Sequence, residues 1–264
     1  MLFAPYERYQ YARAPLVEVI CQLRFPTILS IGTKEPAEFQ EAIRKDFPQY
    51  AARQEQLPPK VVKKGNATAL EPQKPITNYN FISEDGRWKL NLTQGFIALS
   101  TLSYTRWEDF ATRLDRPLAQ FIQLYQPAFF ERIGLRYVNI FSRKALELEE
   151  EPWRELMAPA YLGVLAEEDV DESRAQKCSV DVELSLDSTC RAKIHAGPGL
   201  VKRNVPNAPQ DPEVKFILDM DLYMGGQIDP RMAAGGLETL HGHSTPLFQG
   251  AITDKLHAAL EPRK

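Results

Sequence analysis

The chain has 264 residues, of which 44% are hydrophobic and 25% charged, and carries a formal net charge of −3 with a pI near 5.9. This is the composition of an ordinary soluble globular protein and argues against wholesale disorder. Its mild acidity removes any global attraction to nucleic acid or anionic membranes, leaving a local basic patch as the only electrostatic route to a polyanion.

The first stretch, MLFAPYERYQYARAP, is interrupted by Glu7, Arg8 and Arg13, so no signal peptide is expected. No apolar run approaches the roughly 20 residues of a membrane span. In PLVEVICQLRFP, Val17, Val19, Cys21, Leu23 and Phe25 alternate with Glu18, Ile20, Gln22 and Arg24, which predicts a strand with one strongly apolar face. Glu35 to Tyr50 places Phe39, Ile43 and Phe47 at helical spacing, with Pro36 suited to a first turn. Ala51 to Pro75 is polar and proline-bearing and reads as a long loop with room for a short strand at Lys60 to Lys63.

Three strands are expected at Asn78 to Ser83, Arg87 to Leu92 and Phe96 to Leu102, punctuated by Asp85-Gly86 and Gly95. The period then switches: Trp107, Phe110, Leu114, Leu118, Ile122 and Tyr125 form one helical stripe, with Pro117 expected to kink or divide it. FFERIGLRYVNIF restarts the order, with Ile133, Leu135, Tyr137 and Phe141 on one side and Arg132, Gly134 and Arg136 on the other. A helix containing Trp153, Leu156, Met157 and Tyr161 is expected next, then strands at Lys177 to Leu186, Cys190 to Ala196 and Val214 to Met224. The glycine- and proline-rich loop Gly197 to Pro212 separates the last two, and a final helix is expected from about Ser244 to Leu260.

The fold class that follows is α+β: an internally duplicated β-α-β-β-β-α unit, mostly antiparallel sheet with helices on one face. Residues 1–126 form the first unit and 127–264 the second, packed as one pseudo-symmetric domain. The uncovered sheet face is then polar. The first unit and the opening strand of the second contribute Arg24, Arg87, Lys89, Arg132 and Arg136. The rest of the second contributes Asp181, Glu183, Asp219 and Asp221 beside Arg191, Lys193 and His195. A basic end facing a mixed, acidic end suits a polar or anionic partner, and Arg24, Lys89, Arg132, Arg136 and Lys193 are the candidate binding residues.

Catalytic constellations are poorly supported. GxxxxGK[ST], GxGxxG and GxSxG are all absent, and Gly197-Pro198-Gly199, Gly225-Gly226 and Gly235-Gly236 read as turn glycines. His241, His243 and His257 need not converge and read as structural or solvent-facing, so neither a metal nor a cofactor is expected. The alternative metal set is Asp181, Glu183, Asp219 and Asp221, whose same-face carboxylates could hold Mg²⁺ or Mn²⁺ for a phosphodiesterase or nuclease. Cys21, Cys178 and Cys190 form no CxxC pair and read as reduced thiols of a cytoplasmic protein, although Cys178 and Cys190 flank a predicted hairpin and could approach each other. The duplicated plan is analogous to TATA-box-binding proteins, which makes nucleic-acid binding a further alternative, opposed by the acidity.

Four stretches, APLVEVICQLRF, LSYTRWEDF, IGLRYVNIF and LHGHSTPLFQGAITDKL, occur in this order along nearly the whole chain. Together they resemble a sporadically distributed bacterial family of uncharacterised proteins. The resemblance implies a soluble prokaryotic protein of patchy occurrence, consistent with lateral transfer and with mobile or defence loci, and it carries over no activity, cofactor or catalytic residue. The expectation is a non-enzymatic binding protein, able to form a homo-oligomer, that presents its charged face to a protein or a small anionic ligand, with no membrane partner.

Overall fold

The computed structural model describes residues 7–64, 67–201 and 211–263. The first half runs β1 (Gln10–Tyr11), β2 (Leu16–Arg24), α1 (Leu29–Thr33), α2 (Ala37–Ile43), β3 (Gln49–Glu55), β4 (Lys60–Lys64), β5 (Ala67–Glu71), β6 (Ile76–Ile82), β7 (Trp88–Leu92), β8 (Phe96–Thr101) and α3 (Trp107–Tyr125). The second runs β9 (Phe130–Phe141), α4 (Arg143–Leu146), α5 (Trp153–Leu156), β10 (Val180–Ser185), β11 (Cys190–Leu200), β12 (Val214–Ile228), α6 (Ala233–Gln249), α7 (Asp254–Ala259) and β13 (Pro262–Arg263). Among the described residues, nine strands form one antiparallel sheet in the order β10-β11-β12-β9-β2-β8-β7-β6-β3. The class is therefore α+β. None of the helices among the described residues is long and apolar enough to cross a membrane.

The junction between the halves is the β2–β9 ladder, in which Cys21 faces Leu135 and Leu23 faces Ile133. Outward from it the order is β2-β8-β7-β6 on one side and β9-β12-β11-β10 on the other, so both halves feed one continuous sheet. The two strand orders run alike outward from this junction, but among the described residues β3 and the β4–β5 hairpin have no counterpart in the second half.

Alternation decides which face is buried. Val19, Cys21, Leu23, Ile133, Leu135, Leu218, Met220 and Leu222 are all nearly inaccessible, and the helices lie over that face. Phe39 of α2 packs on Phe81 of β6 at 5.5 Å, and Phe121 of α3 on Phe25 at 4.7 Å. Trp153 of α5 meets Phe216 of β12 at 5.3 Å, and Phe248 of α6 meets Phe141 of β9 at 6.1 Å. Burying such a ring contributes roughly 1.5–3 kcal/mol, so these contacts dominate the attachment of the helical layer.

Several local expectations are corrected. The short strand at Lys60 to Lys63 is present as β4, but the rest of Ala51 to Pro75 is not mainly loop: it holds β5 and most of edge strand β3, which was hidden because QYAARQE is largely exposed and shows no apolar alternation. The helix expected over Glu35 to Tyr50 is shorter, with Phe47 buried beyond its end. Pro117 does not divide α3, which continues from Trp107 to Tyr125. The segment around Trp153 has only the one α turn of α5, followed by 3₁₀ turns at Pro159–Tyr161 and Gly163–Ala166. The final helix is two: α6 begins at Ala233, and α7 is capped separately by Thr253, whose hydroxyl accepts from the Leu256 N–H. Gly235 and Gly236 thus lie in a helix, while Gly197, Gly199, Gly225 and Gly226 lie in strands, the last two at a bulge in the β12–β9 ladder. Residues 202–210 of the Gly197 to Pro212 loop lie outside the described residues.

Candidate functional site

Strand register sets the polar face. Glu183, Lys193, Asp221 and Arg136 stand opposite one another across β10, β11, β12 and β9, an alternation of sign along one row. The adjacent row carries Asp181, His195 and Asp219. Cross-strand neighbours of opposite sign stabilise an exposed sheet face.

The side chains close this pattern into ion pairs. Arg136 reaches diagonally to Asp219, its Nε donating to Oδ1 at 2.7 Å and its Nη2 to Oδ2. Arg132 Nη2 donates to both oxygens of Asp221 at 2.7 Å, and its guanidinium lies over the Tyr223 ring at 4.6 Å. Lys193 Nζ is 3.7 Å from Glu183 Oε2, the Tyr223 hydroxyl donates to Glu183, and His195 Nδ1 lies 2.7 Å from Asp181 Oδ1. Tyr223, Lys193 and Arg191 hold the Glu183 carboxyl below its ordinary range, the Tyr223 hydrogen bond most strongly.

Arg136, Asp181, Glu183, Lys193, His195, Asp219 and Asp221 line an open trough of about 400 Å³. Three of the five candidate binding residues, Arg132, Arg136 and Lys193, are gathered at or beside it, each paired with a carboxylate. The other two are elsewhere. Arg24 faces Arg132 at the end of the β2–β9 ladder. Lys89 shares a row with Arg136 but lies three strands away, about 14 Å at ordinary strand spacing. The expected division into a basic and an acidic end resolves into interleaved pairs.

Glu183, Asp219 and Asp221 are engaged by Lys193, Arg136 and Arg132, and Asp181 by a ring nitrogen of His195. The group of three or more metal-type ligands found among the described residues is a different one: Asp187, Cys190 and His243. Cys178 and Cys190 are both free thiols; Cys178 donates instead to the Leu162 carbonyl.

No family model and no curated protein matches the sequence.

A second constellation lies beneath the sheet, where LSYTRWEDF, IGLRYVNIF and LHGHSTPLF meet. The His241 ring stacks on Trp107 at 4.6 Å and 12°, and His241 Nδ1 shares a hydrogen bond of 2.8 Å with the Tyr137 hydroxyl. Trp107 Nε1 donates to Glu238 at 2.6 Å, and Ser244 Oγ to the His241 carbonyl at 2.7 Å. Burial, with Arg8 nearby, lowers the His241 pKa to about 4 against an opposing effect of Glu108. Burial also pushes the Tyr137 and Tyr104 phenols well above their ordinary value. At neutral pH the Tyr137–His241 pair is uncharged and keeps its protons, which suits a structural bond better than acid–base catalysis. Chain position hid this cluster: Tyr137 and His241 are separated by 104 residues.

Proposed function

We propose that the chain is a non-enzymatic binding protein whose polar sheet face, centred on the trough between β9 and β10, docks a protein partner. The observation that carries this is the alternating charge row Glu183, Lys193, Asp221, Arg136 on a sheet face opposite the helical layer. A fixed mosaic of both signs suits another protein surface, because complementary charges set register and suppress wrong partners. Two cationic side chains against four carboxylates, with His195 between them, line the trough. That balance favours a partner presenting lysine or arginine and weighs against the small anionic ligand and the nucleic acid suggested by the sequence. Engagement of Glu183, Asp219 and Asp221 by Lys193, Arg136 and Arg132, and of Asp181 by the His195 ring, likewise weighs against a magnesium-dependent phosphodiesterase.

The test is capture from the native host with the wild-type chain and with Asp181→Lys plus Glu183→Lys, which reverses the two most exposed carboxylates of the trough, followed by reconstitution of any captured pair from purified components. A partner retained by the wild type, lost by a double variant of unchanged fold, and weakened by salt is the expected result. Equal retention by both removes the trough from the interface. Recovery of no partner, together with magnesium-dependent cleavage of a phosphodiester that is lost in Asp219→Ala, replaces the proposal with the enzyme.

A further inference from the structure

We propose that Asp187, Cys190 and His243 form a zinc site at the turn of the β10–β11 hairpin, using a thiolate, an imidazole and a carboxylate. One ligand atom from each residue lies within 4.8 Å of the other two. Zinc bonds of about 2.0–2.3 Å in tetrahedral geometry set ligand atoms roughly 3.4–3.7 Å apart, so side-chain adjustments of the order of 1 Å close the shell. Asp187 and Cys190 are separated by two residues on a tight turn, the shortest spacing common for paired zinc ligands, and the third ligand comes from a helix distant in sequence.

The turn already aims the carboxylate. The Thr189 and Cys190 backbone N–H groups, both at 2.7 Å, and the Thr189 hydroxyl at 3.0 Å all donate to Asp187 Oδ1. Oδ2 is left facing His243 Nε2 at 2.8 Å. Outer hydrogen bonds of this kind orient a metal-binding carboxylate. The sulfur and nitrogen donors select zinc over magnesium or calcium. Binding expels the Cys190 thiol proton to solvent, so one thiolate and one carboxylate match the two charges of the ion beside a neutral imidazole. Cys190 is buried, whereas the Asp187 side chain is 37% exposed, which leaves the fourth position open to water. A nucleophilic role for Cys190 fits less well, since its thiol is buried and burial pushes its pKa up to about 11.

The ion would tie the β10–β11 hairpin, which carries one wall of the trough, to α6 of the helical layer. This goes beyond the docking proposal and does not depend on it. The experiment is metal analysis of untagged protein grown with zinc, then removal of the metal and reloading with cobalt(II). About one zinc per chain is expected, with a thiolate-to-cobalt charge-transfer band in the near ultraviolet that disappears in Cys190→Ser. His243→Ala should weaken zinc binding at least about tenfold. The wild-type cobalt spectrum decides the matter even if a variant fails to fold. Cobalt binding without a thiolate band, no zinc uptake by the wild type, or equal zinc affinity in the wild type and both variants overturns the site.

Discussion

Arg132 reaches across Gly134 to hold both carboxylate oxygens of Asp221 at 2.7 Å. The path is open only because residue 134 has no side chain: a Cβ there would lie 2.1 Å from Arg132 Nη1 and 2.9 Å from its Cζ. Gly134 thus serves a close approach within the charge pattern rather than a turn.

Gly134→Ala should therefore displace the Arg132 guanidinium while leaving the β9 backbone intact, since the obstructed atoms belong to the end of a flexible side chain. We expect a loss of about 1 kcal/mol in urea unfolding, and a similar loss for Arg132→Ala. The two changes should be markedly non-additive because they break the same contact. Full additivity would show that Gly134 acts through the strand rather than through Arg132.

The Arg136–Asp219 pair should contribute less than its bidentate geometry suggests. Arg136 is 46% exposed and Asp219 only 17%, so solvent screens one partner while the other depends on it. A double-mutant cycle with Arg136→Ala and Asp219→Ala should give a coupling of about 0.5–1 kcal/mol at low salt, shrinking as salt is added. Asp219→Ala should be the milder single change, because the arginine it strands can turn to water.

These pairings mark the boundary of what the sequence could disclose. The apolar faces of β2, β9 and β12 were legible because a two-residue period is local, and the residues of the polar face followed from the same alternation. Which cation meets which carboxylate was not legible. Arg136 and Asp219 are separated by 83 residues, and their meeting depends on β12 lying beside β9. The same non-locality hid Asp187 from His243. Elsewhere the local signal itself misled: glycines at 235 and 236 resembled a turn, yet helical packing of Leu237, Leu240 and Leu247 carries α6 through them.

Gln126 offers a stabilising change. It terminates α3 in the left-handed region at φ 45°, with its N–H bonded to the Ile122 carbonyl. Glycine adopts that conformation without the Cβ penalty. Gln126→Gly should raise stability by about 0.5–1 kcal/mol, provided relief of the native conformation exceeds the added freedom of the unfolded chain. The check is the urea midpoint at unchanged slope; a lower midpoint would mean that unfolded-chain entropy prevails.

His241 predicts a defined acid lability. Its pKa of about 4 in the folded chain is below the ordinary value of 6.5, because burial beside Trp107 and Tyr137, aided by Arg8 and opposed by Glu108, disfavours the imidazolium. Below pH 6.5 the unfolded chain takes up a proton that the folded chain refuses. The contribution is complete above 6.5 and falls away as pH drops towards 4, a total loss of about 3 kcal/mol. His241→Gln, which does not titrate, should be less stable than the wild type at pH 7 because it forfeits the stack on Trp107. The two stability curves should converge between pH 6.5 and 4. Measuring both in chelator keeps any metal at the neighbouring His243 out of the comparison. Curves that run parallel through this window would show that His241 is charged as readily in the folded chain as in the unfolded one.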